Sequence, residues 1–215
     1  MSKKMDVETV AVAEDVRVRF SAQYVGALQA VLSALDLQEV ATVIACLENL
    51  YRRGGQLLLA GNGGSAATAA HMACDLGKSI VPPALGEDGR GFRVLSLADN
   101  VAWVTAIAND YAYELIFSEQ VKTMMRPGDC LLAISASGNS ANIVRAAETA
   151  RALGGQVIAL VGFSGGRLKE LADCAVWVRS DHYGLVEDAH MMIDHLITSY
   201  FRTHFQDWEA APKKG

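Results

Sequence analysis

Two stretches of this chain carry residue types that bind anions, and two carry residue types that move protons. The first anion-binding stretch is Ala60-Gly61-Asn62-Gly63-Gly64-Ser65, with His71 and Asp75 close behind it. Leu57 to Ala60 are apolar and read as a buried strand running into the glycine turn. The alanine-rich segment after the turn has strong helix propensity. A strand, a glycine turn and a helix start aim backbone amides at one spot, and glycine lets an anion approach the backbone. His71 and Asp75 are four residues apart, so they share a face of that helix. An anion cradle, an imidazole and a carboxylate within two helical turns suit a small phosphorylated molecule. A plain crossover turn with no ligand is the alternative at this point. The turn is neither a Gly-x-x-x-x-Gly-Lys-Ser/Thr loop nor a Gly-x-Gly-x-x-Gly turn, so no nucleotide cofactor is expected.

The second stretch is Ile134-Ser135-Ala136-Ser137-Gly138-Asn139-Ser140, leading into a helix expected over Ala141–Leu153. Three hydroxyls beside free helix amides offer several donors to phosphate oxygens. Serine and asparagine also favour helix N-caps, so simple capping is the competing account. The proton-moving groups recur near the end of the chain, in Glu187, Asp188, His190, Asp194 and His195. Glu187, His190 and Asp194 fall on one helix face. His195 lies about 80° round from Glu187 and roughly 12 Å further along the axis. His190 reads equally well as a core histidine with its hydrogen bonds satisfied, and Asp188 reads as solvated.

These groups must be held by a sheet. Apolar runs at Gln56–Ala60, Phe92–Leu97, Cys130–Ile134, Gln156–Val161 and Cys174–Val178 alternate with helical segments. That pattern predicts an α/β fold with a doubly wound parallel sheet. Ahead of it lie two amphipathic helices. One spans Val16–Leu35, with Val25, Leu28, Val31, Leu32 and Leu35 on a stripe. The other starts at the N-cap Asp36 and stops before Gly54-Gly55. The expected organisation is a helical extension over 1–53, a ligand-binding domain over 54–205 and a polar, frayed tail over 206–215. Lys78 to Arg90, with Pro82 and Pro83, is expected to be a loop. One layer of an α/β sheet does not need two extra helices, so they are expected to pack on another copy of the chain.

Composition narrows the function classes. The 215 residues are 51% hydrophobic and 20% charged, as in a well-cored globular protein. A net charge of −5 without a basic cluster argues against direct nucleic-acid binding. No apolar run approaches the roughly 20 residues that span a bilayer, and the N-terminus lacks an apolar signal core. Cys46, Cys74, Cys130 and Cys174 match no zinc or redox spacing and read as free thiols in a reducing cytoplasm, Cys74 being taken as a packing residue.

Gly61-Asn62-Gly63-Gly64-Ser65 together with Ser135-Ala136-Ser137-Gly138-Asn139-Ser140 resembles the sugar isomerase (SIS) domain, and within it the phosphoheptose isomerases. The likeness runs from about Gly54 to Phe205, and the two N-terminal helices fit it. It implies a flavodoxin-like sheet, a homotetramer with active sites near subunit contacts, and a serine turn that holds a sugar phosphate. The implied reaction is an aldose–ketose isomerisation, sedoheptulose 7-phosphate to a manno-heptose 7-phosphate, for envelope or capsule sugars. Asn62, Gly63, Gly64, Ser65, Ser135, Ala136, Ser137 and Ser140 match the substrate turns, and Asn109 and Asp110 match an Asn-Asp pair in the sugar site.

By the same resemblance, His71 and Asp75 match a histidine and the glutamate that serves as base. Glu187 and His195 match a glutamine and the histidine that serves as acid. These four positions, His71, Asp75, Glu187 and His195, also match a zinc site. Two carboxylates and two imidazoles equally suit manganese or iron. Asp75 is one methylene shorter than glutamate but matches the base position and is the first candidate for the base; Glu187, which adds a carboxylate, is its competitor. Ala136 stands where a hydroxyl is usual. Two other functions stay open. One is isomerisation of a different sugar phosphate. The other is a non-catalytic adaptor for the replication initiator protein, which the presence of His195 disfavours.

Overall fold

The computed structural model describes residues 15–81 and 89–209, with side chains up to residue 204. Residues 1–14, most of the expected loop after Ser79, and residues 210–215 of the tail lie outside the described residues. Two helices, α1 (Val16–Ser33) and α2 (Leu37–Arg52), precede the sheet. Then follow β1 (Gln56–Ala60), α3 (Gly64–Cys74), β2 (Arg93–Ser96), α4 (Val101–Asp110) and α5 (Ser118–Met124). The chain continues through β3 (Cys130–Ser135), α6 (Ala141–Ala152), β4 (Gln156–Val161), α7 (Gly166–Leu171), β5 (Cys174–Trp177) and α8 (Tyr183–Glu209).

All five strands are parallel, in the order β2-β1-β3-β4-β5. Side chains alternate between faces along each strand. Leu57, Leu59, Leu132 and Ile134 face a core closed by α2, α3 and α8. Leu58, Ala60, Leu131 and Ala133 face a second core closed by α4 to α7. Burial on both faces explains why the strands are almost wholly apolar. β1 and β3 are neighbours, paired from Leu57↔Cys130 to Ala60↔Ala133, yet α3 and α6 leave them to opposite faces. Strand ends that diverge in this way open a crevice at the carboxyl edge, where α/β folds bind ligands.

The differences from expectation are local. β2 and β5 are trimmed at their ends, and β3 runs one residue further, to Ser135. α8 starts two residues earlier than expected and runs on to Glu209, so the first four residues of the expected frayed tail are helical. Lys78 and Ser79 belong to a π-helical turn, Asp75–Ser79, that prolongs α3. Cys74 is exposed, because its position falls on the outer side of α3; all four cysteines are free. α2 buries Val40, Val43, Leu47 and Leu50 in the main core, whereas α1 has no buried residue. Val16, Val18, Phe20 and Val25 of α1 are each more than half exposed. No single helix among the described residues is long and apolar enough to cross a membrane.

Candidate functional site

The glycine turn and the serine turn both sit at the carboxyl edge, at the point where β1 and β3 diverge. Gly61 must be glycine, since a Cβ there would collide with the backbone of Ser65. Gly63 takes a φ of 53° as the residue before α3, a left-handed conformation that favours glycine. Asn62 joins the two turns. Its Nδ2 donates to Asn142 Oδ1 at 2.9 Å, and Asn142 Nδ2 donates back to Asn62 Oδ1 at 2.8 Å. Tyr113 OH also donates to Asn62 Oδ1, at 3.2 Å. Asn142 and Tyr113 were not singled out from the sequence. Their signal was weak, an asparagine in a helix's first turn and an isolated tyrosine.

In the serine turn, Ser135 is buried at the end of β3 and its Oγ accepts from Gly138 N at 3.2 Å. Ser135 Oγ and Ser140 Oγ face each other at 3.5 Å. Ser137 Oγ accepts from Asn139 N at 3.2 Å. Ser140 occupies the N-cap of α6, but its side chain makes no capping bond. Its hydroxyl is therefore not used as the capping account requires. Gly138, at φ +66°, could not carry a side chain, because a Cβ would strike the Gly165 carbonyl. Ala136 is buried, Ser65 is buried in the first turn of α3, and Gly63 and Gly64 are exposed. Asn109 and Asp110 are exposed at the end of α4, where Asn109 Nδ2 donates to Asp110 Oδ1 at 2.9 Å.

The proton-moving groups meet where α3 packs on α8. His71 Nε2 and His195 Nε2 are 3.0 Å apart. His71 Nε2 lies 3.6 Å from Asp75 Oδ2. Asp75 opens the π-turn, and its Oδ1 accepts from Ser79 Oγ at 3.2 Å. The fourth member is Asp194: one ligand atom from each of His71, Asp75, Asp194 and His195 lies within 4.8 Å of the others. Glu187 was the expected fourth member, and its carboxylate sits elsewhere. Both its oxygens lie 2.6–2.7 Å from where a Cβ on Gly64 would stand, at the N-terminus of α3. A negative group is favoured there by the helix dipole.

Asp194 is fully buried, and its Oδ2 has no hydrogen-bond partner. Burial first, then the Asp75 carboxylate, push its pKa up to about 7, with His71 opposing. The cluster fits a divalent ion. Tetrahedral zinc with N and O ligands sets donor atoms roughly 3.3 Å apart. The 3.0 and 3.6 Å separations bracket that value. An ion there would also satisfy the unpartnered Asp194 oxygen.

His190 is buried with both ring nitrogens unpartnered, so it is not the satisfied core histidine that one reading allowed. Burial lowers its pKa to about 4, with the Val161 backbone opposing. Asp188 is exposed and accepts from Tyr24 OH at 2.7 Å, which ties α1 to α8. The lowered pKa of His190 means that the unfolded chain takes up its proton first as pH falls. The stability this residue contributes is complete above about pH 6.5 and is lost on acidification towards pH 4. We expect wild type to lose about 2–4 kcal/mol more than His190→Leu between those pH values, measured by denaturant melts. Equal pH profiles would contradict this.

Residues 22–162 match the SIS domain family model. The phosphoheptose isomerase of Mycobacterium tuberculosis is 41% identical over 152 residues, which cover 70% of this chain and 74% of the relative. That of Akkermansia muciniphila is 38% identical over 164 residues, 75% of this chain and 82% of the relative. Among solved structures, the phosphoheptose isomerase of Neisseria gonorrhoeae superposes with a TM-score of 0.78 at 26% identity. That match covers 87% of this chain and 99% of the other.

Proposed function

This chain belongs to the SIS domain family, among the phosphoheptose isomerases, and from that premise we propose that it converts sedoheptulose 7-phosphate to D-glycero-D-manno-heptose 7-phosphate. The observation that carries this reading is the meeting of the glycine turn and the serine turn at the carboxyl edge of the sheet, joined through Asn62 and Asn142. Ser140 Oγ is left free of capping in the serine turn, and the carboxylate–imidazole cluster lies about two turns along α3 from the glycine turn.

In the proposed reaction, Ser135, Ser137, Ser140 and the amides at the start of α6 hold the phosphate. Asn62, Gly63, Gly64, Ser65 and the Asn109–Asp110 pair line the sugar. A carboxylate removes a proton from C1 of the ketose and returns it at C2, through an enediolate. Asp75 matches the family's base position, but its two oxygens engage Ser79 and His71. Glu187 stands at the glycine turn, nearer the cradle, and we assign it the base. His71 and His195, 3.0 Å apart at Nε2, cannot both carry a proton there, so they share one. With no ion held, His195 is the acid that serves the sugar oxygen. His71, Asp75, His195 and Asp194 would hold a divalent ion, zinc as the first choice, which would supply Lewis-acid polarisation of the sugar oxygens.

We also place the protein in the cytoplasm, in keeping with its four free thiols, as a homotetramer built through α1. The exposed apolar residues of α1 support that assembly. Sedimentation at micromolar concentration is expected to give a tetramer, and removal of residues 1–35 to give smaller species or aggregate. A wild-type monomer would contradict the assembly. The activity itself is tested by offering a panel of ketose phosphates, with and without chelator, and following aldose formation. Heptulose phosphate is expected to be the preferred substrate. Turnover of a different sugar phosphate alone would replace the substrate assignment.

A further inference from the structure

The polar stripe of α8 meets α3 at two separate levels. Glu187 lies against Gly64, and His195 lies against His71. Seven or eight residues separate the two contacts on each helix, so the helices run side by side in the same direction, and the levels are roughly 10 Å apart along the axis. One level faces the glycine turn. The other holds the imidazoles and Asp75.

We propose that Asp194, rather than Glu187, is the fourth ligand of the divalent-cation site, and that this leaves Glu187 free to face the sugar. The inference rests on the isomerase reading for the role of Glu187, but not for the ligand set. Three observations support it. Asp194 presents an oxygen within 4.8 Å of the donor atoms of His71, Asp75 and His195. Its side chain is fully buried, with Oδ1 held only by Thr198 at 3.4 Å and Oδ2 without a partner. A buried carboxylate oxygen with no donor is costly unless a cation or a proton completes it. Lastly, the Glu187 carboxylate is seated at the start of α3, at the other level. Two histidines and two carboxylates make a site open to zinc and also to harder ions such as manganese.

The test is metal content and affinity. Wild type, Asp194→Asn, Asp194→Leu and Glu187→Gln are purified without chelator, assayed for bound metal by mass spectrometry, and titrated with zinc and with manganese. We expect near-stoichiometric metal in wild type and in Glu187→Gln, with affinities within about threefold of each other. Both Asp194 variants are expected to lose affinity at least 100-fold. Asp194→Leu removes the unpartnered oxygen, so its metal-free form is expected to melt no lower than wild type, which separates lost binding from lost folding. Loss of metal in Glu187→Gln with retention in Asp194→Asn would overturn the inference. So would a wild type that binds neither ion, and in that case isomerase activity insensitive to chelator would leave the catalytic reading standing.

Discussion

Glu187→Gln is expected to lower the turnover of sedoheptulose 7-phosphate by about 10²-fold or more, with little change in KM. The size follows from loss of a positioned general base, which typically contributes 10²–10⁴-fold. The small effect on KM follows from position. Glu187 sits at the start of α3, whereas the hydroxyls proposed to hold the phosphate sit beyond β3. Glutamine keeps the shape and removes only the proton-accepting charge. If Asp75 were the base instead, the same change would leave most of the turnover intact, and Asp75→Asn would carry the loss.

The second large effect concerns the serine turn. Ser137→Ala and Ser140→Ala are each expected to raise KM by about 10- to 100-fold while kcat changes far less. A hydrogen bond to a charged group contributes about 1.5–3 kcal/mol, which sets that range. The two hydroxyls are only partly buried, and Ser140, whose Oγ is not engaged in capping α6, is the cleaner probe, since Ser137 Oγ also accepts from Asn139 N. Ser135 is a poorer probe, because its Oγ also accepts from Gly138 N and holds the turn. Unchanged KM in both variants, from steady-state kinetics, would place the phosphate elsewhere.

Much of the fold could be read from the sequence because the signals were local. Leu57 to Ala60 and Cys130 to Ile134 are apolar without alternation, as strands buried on both faces must be. Glycine and serine turns at their ends marked the ligand edge. The pairing of His71 with Asp75 followed from helical spacing alone. The role of Asp194 did not. Spacing puts Glu187, His190 and Asp194 on one stripe, but which of them meets His71 depends on how far α8 is shifted along α3. That shift is set by packing of the whole layer, with Ile193, Ile197 and Phe201 seated against α2, α3 and the sheet. The reciprocal bonds of Asn62 with Asn142 were hidden for the same reason, since 80 residues separate the partners. The π-turn at Asp75–Ser79 has no clear sequence signature; it follows the His71–Asp75 pair and brings Ser79 Oγ to the Asp75 carboxylate.

The proposed activity is one reaction, proton transfer between C1 and C2 of a phosphorylated ketose. The most direct measurement is to incubate the full-length protein with sedoheptulose 7-phosphate in deuterium oxide and follow the mixture by proton and carbon NMR. Appearance of the manno-heptose 7-phosphate is the predicted result, with deuterium at C2 in the turnovers in which the carboxylate exchanges its proton with solvent before returning it. Absence of product, with substrate returned unchanged and unlabelled, would contradict the isomerase itself.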